Sequence, residues 1–434
     1  MVNIVKIDKD DAEFESLIEN LLAWEAREDA AVEIGAKTII ERVRVDGDSA
    51  LLALTAEHDH FEVASMEQLM VSLDQCRKVY ETLVDSDRKA LDEAASRIRL
   101  FHKAQRDEVF EIEDEHGNFL GYRVTALQHV GVYVPGGQAA YPSSVLMTVI
   151  PARVAGVEEI TAVVPAPMGE CSRHVLAAMH VAGVDRIYTI GGAQAIAALA
   201  YGTETVKSVD KIVGPGGAFV AAAKRLVYGP VGIDAIAGPS EILIVADGSV
   251  SARWTALDLC AQAEHDLTAQ AILICPYGQY LDAVHHEMEK LIPSLERREI
   301  IERSISNRGV FIKCHDLEDA ISLVNRFAPE HLQLAVSEPD VLLPLVRHAG
   351  AIFMGGYSAA VLGDYSAGPS HVLPTFGSAR YASGLSVRDF QKRSSIIRCS
   401  REGAKKIGRI AATLAEAEGF TAHSAAARAR GEDT

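Results

Sequence analysis

Acidic, imidazole and amide side chains cluster at three places in this chain. Gln262 and His265 belong to a Gln-Ala-Glu-His-Asp segment, Glu330 and His331 are adjacent, and Asp364 lies in a Gly- and Pro-rich loop. Imidazoles and carboxylates transfer protons near neutral pH and also bind zinc, so these residue types suit both kinds of chemistry. Each cluster also has an ordinary structural use, which must be weighed beside the chemical one.

Spacing within the first segment decides which of its side chains can meet. Gln262 and His265 are three residues apart and share a helix face, whereas Glu264 and Asp266 flank the histidine. From chemistry alone, His265 with Glu264 or Asp266 is the first choice of zinc ligands. A helix C-terminus carrying solvated polar groups explains the same residues without a metal, and the segment alone favours that explanation.

The other two segments carry a similar ambiguity. Glu330 and His331 supply two titratable groups, one able to take a proton from an alcohol and the other able to activate water. A surface glutamate beside a buried histidine fits this pattern equally well. Asp364 can simply cap a turn, and His371, seven residues later, is interpreted as a structural hydrogen-bonding residue.

Two further polar residues, Glu418 and His423, lie near the C-terminus. A C-terminal tail is often mobile and idle. Here the tail keeps a helical, apolar pattern almost to its end, with Ala404 to Ala417 as its clearest helix. We therefore expect the tail to dock on another surface.

The elements that position these residues are predicted to be alternating strands and helices. Residues 122–247 alternate short apolar strands, most ending at glycine or proline, with helical stretches, and residues 240–385 repeat the pattern less regularly. This alternation predicts parallel sheets with helices on both faces. The Gly-rich loops then lie at the carboxyl edge of the sheet, where ligands bind in open α/β folds. Residues 1–110 and 402–434 read as helical.

Composition and charge narrow the class of protein. The formal net charge of −18 disfavours binding to nucleic acid or to anionic membranes. No apolar stretch reaches the ~18–20 residues of a membrane helix, and the acidic N-terminus is unlike a secretory signal. The six cysteines form no C-x-x-C pair and are predicted to be free, buried thiols in the cytoplasm.

Nucleotide motifs are sparse. Gly214-Pro-Gly-Gly217 begins like a dinucleotide fingerprint but places Phe219 where the third glycine should stand, so alone it indicates no more than a turn that opens a helix. There is no P-loop, which disfavours hydrolysis of ATP or GTP.

Taken together and in order, the segments resemble the histidinol dehydrogenase family. The resemblance covers essentially the whole chain and is densest from about residue 122 to 425. The motifs that carry it are Ala-Pro-Glu330-His331-Leu, Gln262-Ala-Glu-His265-Asp, Gly-Asp364-Tyr followed by His371-Val-Leu-Pro-Thr, Tyr133-Val-Pro-Gly-Gly137, Gly191-Gly-Ala-Gln194-Ala, and Ala237-Gly-Pro-Ser240-Glu.

The resemblance implies two Rossmann-like α/β domains with parallel sheets covered by helices, plus helical N-terminal and C-terminal extensions. On this basis residues 1–28 form the N-terminal extension. Residues 29–132 together with 240–385 form the first α/β domain, which carries the metal and catalytic residues. Residues 133–239 form the second domain, on the NAD side, and residues 386–434 form a helical extension that docks on a partner subunit.

The implied activity is the NAD-dependent, four-electron oxidation of L-histidinol to L-histidine through histidinal, the last step of histidine biosynthesis. One zinc ion per subunit orients the substrate instead of activating water. The resemblance assigns the zinc ligands and the substrate contacts to partly the same residues of a homodimer, with His423 supplied by the second subunit. The implied zinc ligands are Gln262, His265, Asp364 and His423, and the implied substrate contacts are these four with Ser240, His331 and Glu418.

Glu330 and His331 are the implied catalytic pair, and Tyr133, Gln194 and Gly217 are the implied NAD contacts. The family usually has asparagine at position 217. Two further departures are Ser358-Ala-Ala360 in place of a Thr-Pro-Glu-like stretch, and Ser370 in place of asparagine. These departures leave a second hypothesis open, a paralogue that oxidises another amino or sulfonated alcohol. A non-catalytic binder of metal or imidazole is a third, disfavoured by the retained Glu330 and His331.

Overall fold

The structure is a computed structural model that describes residues 3–22, 30–105, 110–136 and 140–431, so Gly137 of the Tyr133 motif lies outside the described residues. The strands are β1 Val5–Asp8, β2 Glu111–Glu113, β3 Phe119–Ala126, β4 His129–Tyr133, β5 Glu159–Val163, β6 Arg186–Tyr188, β7 Lys211–Val213, β8 Gly232–Ile233, β9 Glu241–Ala246, β10 Gln270–Cys275, β11 Gly309–Lys313, β12 His331–Ala335, β13 Ala351–Met354 and β14 Gln391–Arg398. The helices are α1 Phe14–Leu22, α2 Ala30–Asp59, α3 Leu73–Glu81, α4 Asp85–Lys103, α5 Pro142–Ala155, α6 Arg173–Ala182, α7 Gly192–Tyr201, α8 Ala218–Val227, α9 Ala252–Ala263, α10 Gly278–Leu291, α11 Arg298–Arg308, α12 Leu317–Phe327, α13 Pro339–Leu342, α14 Ala360–Tyr365, α15 Arg401–Ala417 and α16 Thr421–Ala429.

Two parallel sheets form the body of the molecule and share one strand order. The five-stranded sheet runs β6-β5-β4-β7-β8, and the six-stranded sheet runs β1-β11-β10-β9-β12-β13. If β4 is counted as the first strand of the smaller sheet and β9 as the first strand of the larger sheet, the strand order of each sheet is 3-2-1-4-5, and β1 is added at one edge of the larger sheet. The order therefore reverses beside β4 in one sheet and beside β9 in the other. Open α/β sheets bind ligands at such a reversal. The predicted fold class is confirmed.

The strands are short apolar runs because both of their faces are covered. Every residue of β9 and of β10 is buried. Ile242 and Ile244 face one apolar core of the larger sheet, and the alternate residues Leu243 and Val245 face the other. This period of two is the alternation of side chains along a strand. Helices on each face complete the burial and fix the sheet as a three-layer structure.

The N-terminal half is arranged differently from the expected grouping. The N-terminal extension is helical in α1, but it also contributes β1, which pairs in parallel with β11. Helix α2 contacts α7 and α8, helix α3 contacts α6, and helix α4 contacts α5. All of these partner helices flank the five-stranded sheet. These contacts differ from the placement of residues 29–132 with the catalytic domain; the domain boundaries themselves stay a prediction.

The C-terminal segment forms a separate layer. Strand β14 pairs antiparallel with β3, which pairs with β2, and α15 packs against α16. The turn between β2 and β3 holds the start of α15, since the Ser400 hydroxyl donates to the His116 carbonyl. Ile410 and Leu414 on α15 remain about 60% exposed, which leaves an apolar stripe uncovered within one chain.

All six cysteines are free, as predicted. The expectation that all are buried is wrong for Cys399, which is exposed at the end of β14, and for Cys171, which is half-buried. Cys399 ends an edge strand whose residues are largely exposed, so no core closes over it. Within the described ranges, no helix has the length and apolar character to cross a membrane.

Candidate active site

The catalytic candidates lie at the amino edge of the six-stranded sheet. Glu330 directly precedes β12, and His331 is its first residue, paired in register with Ile242 of β9. Glu241 begins β9 beside them. His331 and Glu330 are 4% and 6% exposed, so the surface-glutamate interpretation is wrong, and both side chains are held inside the fold.

The hydrogen bond of His331 fixes its tautomer. Nδ1 lies 2.9 Å from the backbone carbonyl oxygen of Glu241, which can only accept, so Nδ1 carries the proton and donates it. When the ring is neutral, Nε2 therefore carries a lone pair, and this atom lies 3.5 Å from Asp364 Oδ1. The ring also stacks on Phe353 with centroids 5.9 Å apart. His331 is thus oriented with its basic atom toward Asp364.

Glu330 lies on the other side of the same imidazole. Its Oε2 accepts a hydrogen bond of 2.8 Å from the backbone N–H of Glu241 and is 3.4 Å from His331 Nδ1. The Glu241 side chain is itself buried, and its burial together with the charge of Glu330 raises its pKa to about 7. Glu241 therefore supports both catalytic candidates through its backbone and adds a second buried carboxyl group.

Charge coupling links His331 to Asp364. Burial lowers the pKa of His331, but the charges of Glu330 and Asp364 and the hydrogen bonds to them raise it well above its usual value. Burial raises the pKa of Asp364, but the hydrogen bond and charge of His331, with the charges of His371 and His265, together hold that pKa below its usual value. A cation that pairs with Asp364 would lower the pKa of His331 toward that of a base active near neutral pH.

Asp364 is positioned by its own short helix and by His371. It lies in α14, which contacts α9. His371 Nδ1 lies 2.9 Å from the Asp364 carbonyl oxygen, and its Nε2 lies 3.3 Å from the hydroxyl oxygen of Ser144. Burial lowers the pKa of His371. Both of its ring nitrogens thus have protein partners, which agrees with a structural hydrogen-bonding role beside the site.

Gln262 and His265 approach from the C-terminal end of α9. Gln262 is 3% exposed, and among the described residues its Nε2 has no hydrogen-bond partner. The charge of His265 acts on Asp364, so the two lie within electrostatic reach. Asp266 accepts hydrogen bonds from Thr268 and closes a turn instead. Glu264, the other chemistry-first candidate, is half-buried at the C-cap of α9. Whether Gln262 or one of these acids binds a metal stays a prediction.

A cavity of about 550 Å³ opens between these elements. Its wall includes His331, Phe353, Asp364 and His371, with apolar residues such as Leu362 between them. A cavity of this size with a few convergent polar groups is typical of a small-molecule site. In the described part of the chain, no three His, Cys, Asp or Glu side chains gather as a metal site.

The remaining substrate candidates are less closely gathered. Ser240 is half-buried just before β9, and its carbonyl accepts from the N–H of Gln270. Glu418 and His423 are exposed on the α15–α16 hairpin and do not line the cavity. The structure thus places α9, which carries Gln262, in contact with α14, which carries Asp364, and leaves the two tail residues exposed.

The cofactor candidates lie at the carboxyl edge of the other sheet. Tyr133 ends β4, and its buried hydroxyl accepts the Gly192 N–H at 3.1 Å, while burial raises its pKa to about 12. Gln194 is 2% exposed in the first turn of α7. Gly217 caps α8, and a Cβ built there meets no atom within 4 Å. Only glycine fits at 214, since a Cβ would lie 2.2 Å from the Tyr133 carbonyl oxygen.

Sequence reasoning did not single out Glu241. The only signal was a charged residue at the start of an otherwise apolar strand, in Pro-Ser-Glu-Ile-Leu-Ile. Burying a carboxyl group there is costly unless it interacts with neighbouring polar groups. Its contacts to Glu330 and His331 come from distant parts of the chain, so spacing could not reveal them.

Two parallel sheets of one strand order, with a buried Glu–His pair whose histidine lines a cavity beside Asp364, define a two-sheet α/β enzyme. A sequence model of the family described as histidinol dehydrogenase matches residues 23–431. Curated histidinol dehydrogenases of Chromobacterium violaceum and Dechloromonas aromatica are 53% and 52% identical, over 99% and 100% of both chains. The crystal structure of histidinol dehydrogenase from Elizabethkingia anophelis superposes with a TM-score of 0.93 at 32% identity, covering 98% of each chain. The chain belongs to the histidinol dehydrogenase family, a family of oxidoreductases.

Proposed function

We propose that this protein oxidises L-histidinol to L-histidine through histidinal, with NAD as the acceptor of two successive hydrides. The observation that carries the proposal is the orientation of His331, whose Nδ1–H is donated to the Glu241 carbonyl so that Nε2 is directed toward Asp364 at the cavity. A dehydrogenase acting on an alcohol needs a base that faces the hydroxyl group. The proposal makes the reaction the last step of histidine biosynthesis.

His331 acts first in the proposed reaction. Its Nε2 takes the hydroxyl proton of the substrate while hydride leaves the carbinol carbon, which produces the aldehyde. The bond from Nδ1 to a backbone carbonyl keeps the ring in one tautomer and one orientation throughout. A substrate ammonium group near Asp364 would also lower the pKa of His331, because it offsets the carboxylate charge that raises that pKa.

Glu330 is proposed to act in the second half. As a base it takes a proton from water, so that water adds to the aldehyde and the resulting hydrate can lose the second hydride. Glu330 is suited to this role because its Oε2 is fixed by the Glu241 N–H and is shielded from bulk solvent. The buried position also keeps the aldehyde away from solvent between the two steps.

The residues in and beside the cavity fit a zinc ion. The Gln262 amide is buried, and its Nε2 has no hydrogen-bond partner among the described residues; with the amide flipped, its oxygen takes that position as a neutral ligand. Asp364 and His265 add carboxylate and imidazole donors, which are ligand types that zinc accepts. We propose that these three and His423 of the second subunit hold one zinc per subunit. When bound, zinc supplies a template that orients the imidazole and amine nitrogens of the substrate. Ser240 and Glu418 are the proposed additional substrate contacts.

NAD is proposed to bind at the carboxyl edge of the five-stranded sheet. Tyr133 and Gln194 lie beside the start of α7, and Gly217 lies at the start of α8. Helix N-termini carry partial positive charge and free N–H groups, which suit a pyrophosphate. Gly217 offers only its backbone, but the open space beside it would admit the side chain that other members carry.

A homodimer with shared sites is the proposed assembly. The α15–α16 hairpin carries Glu418 and His423 on its exposed side, together with the apolar residues Ile410 and Leu414. Exposed apolar side chains at this density favour burial against another chain. The free thiols agree with a reducing compartment, and we propose the cytoplasm.

The experiment is an assay of NADH formation from purified protein and L-histidinol, with and without a chelator and with zinc restored. We expect two NADH per histidinol, lost on chelation and recovered with zinc. A protein that forms no NADH in the presence of zinc would contradict the proposal. Assays with a panel of alcohols would then test the alternative hypothesis that the protein is a paralogue acting on another amino or sulfonated alcohol. Gly217 favours this hypothesis.

A further inference from the structure

A second cavity, of about 260 Å³, lies at the carboxyl edge of the five-stranded sheet. Its wall is formed by residues from the first half and the end of α2, by the start of α7 and by the start of α8. The cavity shares Gln194 with the proposed NAD site and shares no residue with the catalytic cavity. The residues that line it outside the Gly191–Gln194 turn are Ile39, His58, Asp59 and Phe219.

Asp59, the last residue of α2, is the unusual member of this cavity. The residue is 8% exposed, and its Oδ2 is buried without a hydrogen-bond partner in the part of the chain that the structure describes. Burial raises the pKa of Asp59, and the nearby charges of His58 and His60 act in the opposite direction. A buried carboxyl oxygen without a partner is costly. Asp59 lines the cavity, so a molecule bound there has room to supply the missing donor.

The rest of the cavity indicates which kind of molecule brings the donor. The turn at Gly191 and Gly192 approaches its surroundings closely, since a Cβ at Gly191 would lie 2.5 Å from Pro165 Cβ. This turn starts the ten-residue helix α7, whose first N–H groups favour an anion. Ile39 and Phe219 add apolar walls suited to a sugar or a base. Anion donors, an acidic acceptor and apolar walls together match a nucleoside joined to phosphate.

We propose that Asp59 recognises the nucleoside part of the dinucleotide by accepting a hydrogen bond from a neutral donor, a ribose hydroxyl or an exocyclic amine. The negative charge of Asp59 also disfavours an additional phosphate, so the site prefers NAD over its 2′-phosphorylated form. The inference rests on the proposed use of NAD and adds the residue that sets cofactor selectivity. That residue comes from α2, outside the loops of the sheet itself.

The test is titration of the protein with NAD⁺ and with NADP⁺, followed by calorimetry, for wild type, Asp59→Asn and Asp59→Leu. Loss of a hydrogen bond to a charged group should weaken NAD⁺ binding by Asp59→Leu about 10- to 100-fold. Asp59→Asn, which keeps an acceptor but removes the charge, should raise the affinity for NADP⁺ relative to NAD⁺ at least about tenfold. Glu57→Gln is the matched control, an exposed acid two residues earlier on α2, and should change neither affinity.

Thermal unfolding separates recognition from a structural role. Because Oδ2 makes no hydrogen bond within the described protein, both Asp59 variants should unfold at the wild-type temperature or above it.

An NAD analogue with a blocked exocyclic amine identifies the donor. If Asp59→Asn no longer matters for that analogue, the amine is the donor; if the effect persists and NADP⁺ discrimination is lost, the donor is the ribose hydroxyl.

Two results would overturn the inference. Equal NAD⁺ affinities of wild type and Asp59→Leu, with unchanged selectivity in Asp59→Asn, overturn it alone and leave the proposed function standing. Wild-type protein that binds no NAD⁺ in the presence of zinc and L-histidinol overturns the proposed function as well.

Discussion

The two parallel sheets share one strand order, yet their candidate sites lie at opposite edges. Tyr133, Gln194 and Gly217 lie at the carboxyl edge of the five-stranded sheet, after strands β4, β6 and β7. Glu330 and His331 lie at the amino edge of the six-stranded sheet, before or at the start of β12. Of these two candidate sites, only the one on the five-stranded sheet lies at the carboxyl edge, where open α/β sheets bind ligands.

Helix polarity gives a physical reason for the difference. Helices α7 and α8 start at the carboxyl edge of their sheet, so their positive ends meet whatever binds there. Helix α9 has Gln262 in its last turn and ends at Ala263, two residues before His265, and α12 ends at Phe327, shortly before Glu330, so both helices present their negative ends near the amino-edge site. The first edge suits an anion such as a pyrophosphate. The second suits a cation such as a metal ion or an ammonium group.

The largest expected effect concerns the dependence of the amino-edge site on a second subunit. Deleting residues 418–434 removes Glu418 and His423 and should abolish histidinol oxidation, while calorimetric NAD⁺ binding at the other edge stays within about twofold. Mixing the truncated protein with His331→Asn should restore part of the activity, because a heterodimer then contains one complete site.

Two controls accompany this prediction. His423→Asn keeps α16 in place and should also lose activity, which separates ligand loss from misfolding of the hairpin. If mass spectrometry shows that the subunits exchange and mixing still restores no histidinol oxidation, the sites are not shared between subunits.

The substitution His331→Asn tests whether the two candidate sites of one chain have separate roles, catalysis at one and NAD⁺ binding at the other. Removing a general base costs about 10²–10⁴ in rate, so we expect kcat to fall by that factor while the Kd for NAD⁺ stays unchanged. Steady-state kinetics beside NAD⁺ titration give both numbers. A variant that retains a rate within about threefold of wild type would exclude His331 as the base.

The substitution Glu241→Gln tests the charge state of the buried Glu241 carboxyl group, at the amino edge of the six-stranded sheet, through the pH dependence of the free energy of unfolding. The pKa of Glu241 is raised to about 7 in the folded protein from 4.5, so the folded state holds a proton that the unfolded state loses between these values. Wild-type stability should therefore fall as pH rises from about 4.5 to 7. At pH 8 the variant should be more stable by about 3 kcal/mol, since one pKa unit corresponds to ~1.4 kcal/mol.

Urea unfolding at pH 5 and pH 8 measures this difference. Glu296→Gln, a substitution of an exposed acid, should leave the stability difference between the two pH values unchanged. A Glu241→Gln variant that loses stability equally at both pH values would show that the carboxyl group is ionised and paired in the folded protein.

The smallest expected effect lies at the carboxyl edge. Gly217→Asn adds a polar side chain in open space, at a helix cap with φ −66° that any residue adopts. One added hydrogen bond is worth about 0.5–1.5 kcal/mol, so NAD⁺ should bind roughly two- to tenfold more tightly, with kcat unchanged. Gly217→Ala should bring no gain, and a weaker affinity in Gly217→Asn would mean that the cofactor backbone occupies this space.

Much of the fold could be predicted from the sequence because it depends on local patterns. The apolar runs that became β4, β5, β7, β9 and β10 are short, buried on both faces and closed by turn residues. Strand β1 and the antiparallel β3–β14 pair were missed, since most of their residues are half-buried or exposed and they carry no clean alternation. Pairing of β14 with β3 joins residues more than 250 positions apart, which no local pattern encodes.

For the site, the sequence by itself determined the residue types and the family, and through the family the identities of Glu330, His331, Gln262 and Asp364 as candidates. Only the tertiary structure decided that Glu330, His331 and Asp364 lie together at an amino edge, that Glu241 fixes the tautomer of His331, and that Asp59 Oδ2 has no hydrogen-bond partner among the described residues. The physical reason is that a contact between distant segments is set by how helices and strands pack. Packing directs each side chain toward partners that sequence spacing does not contain.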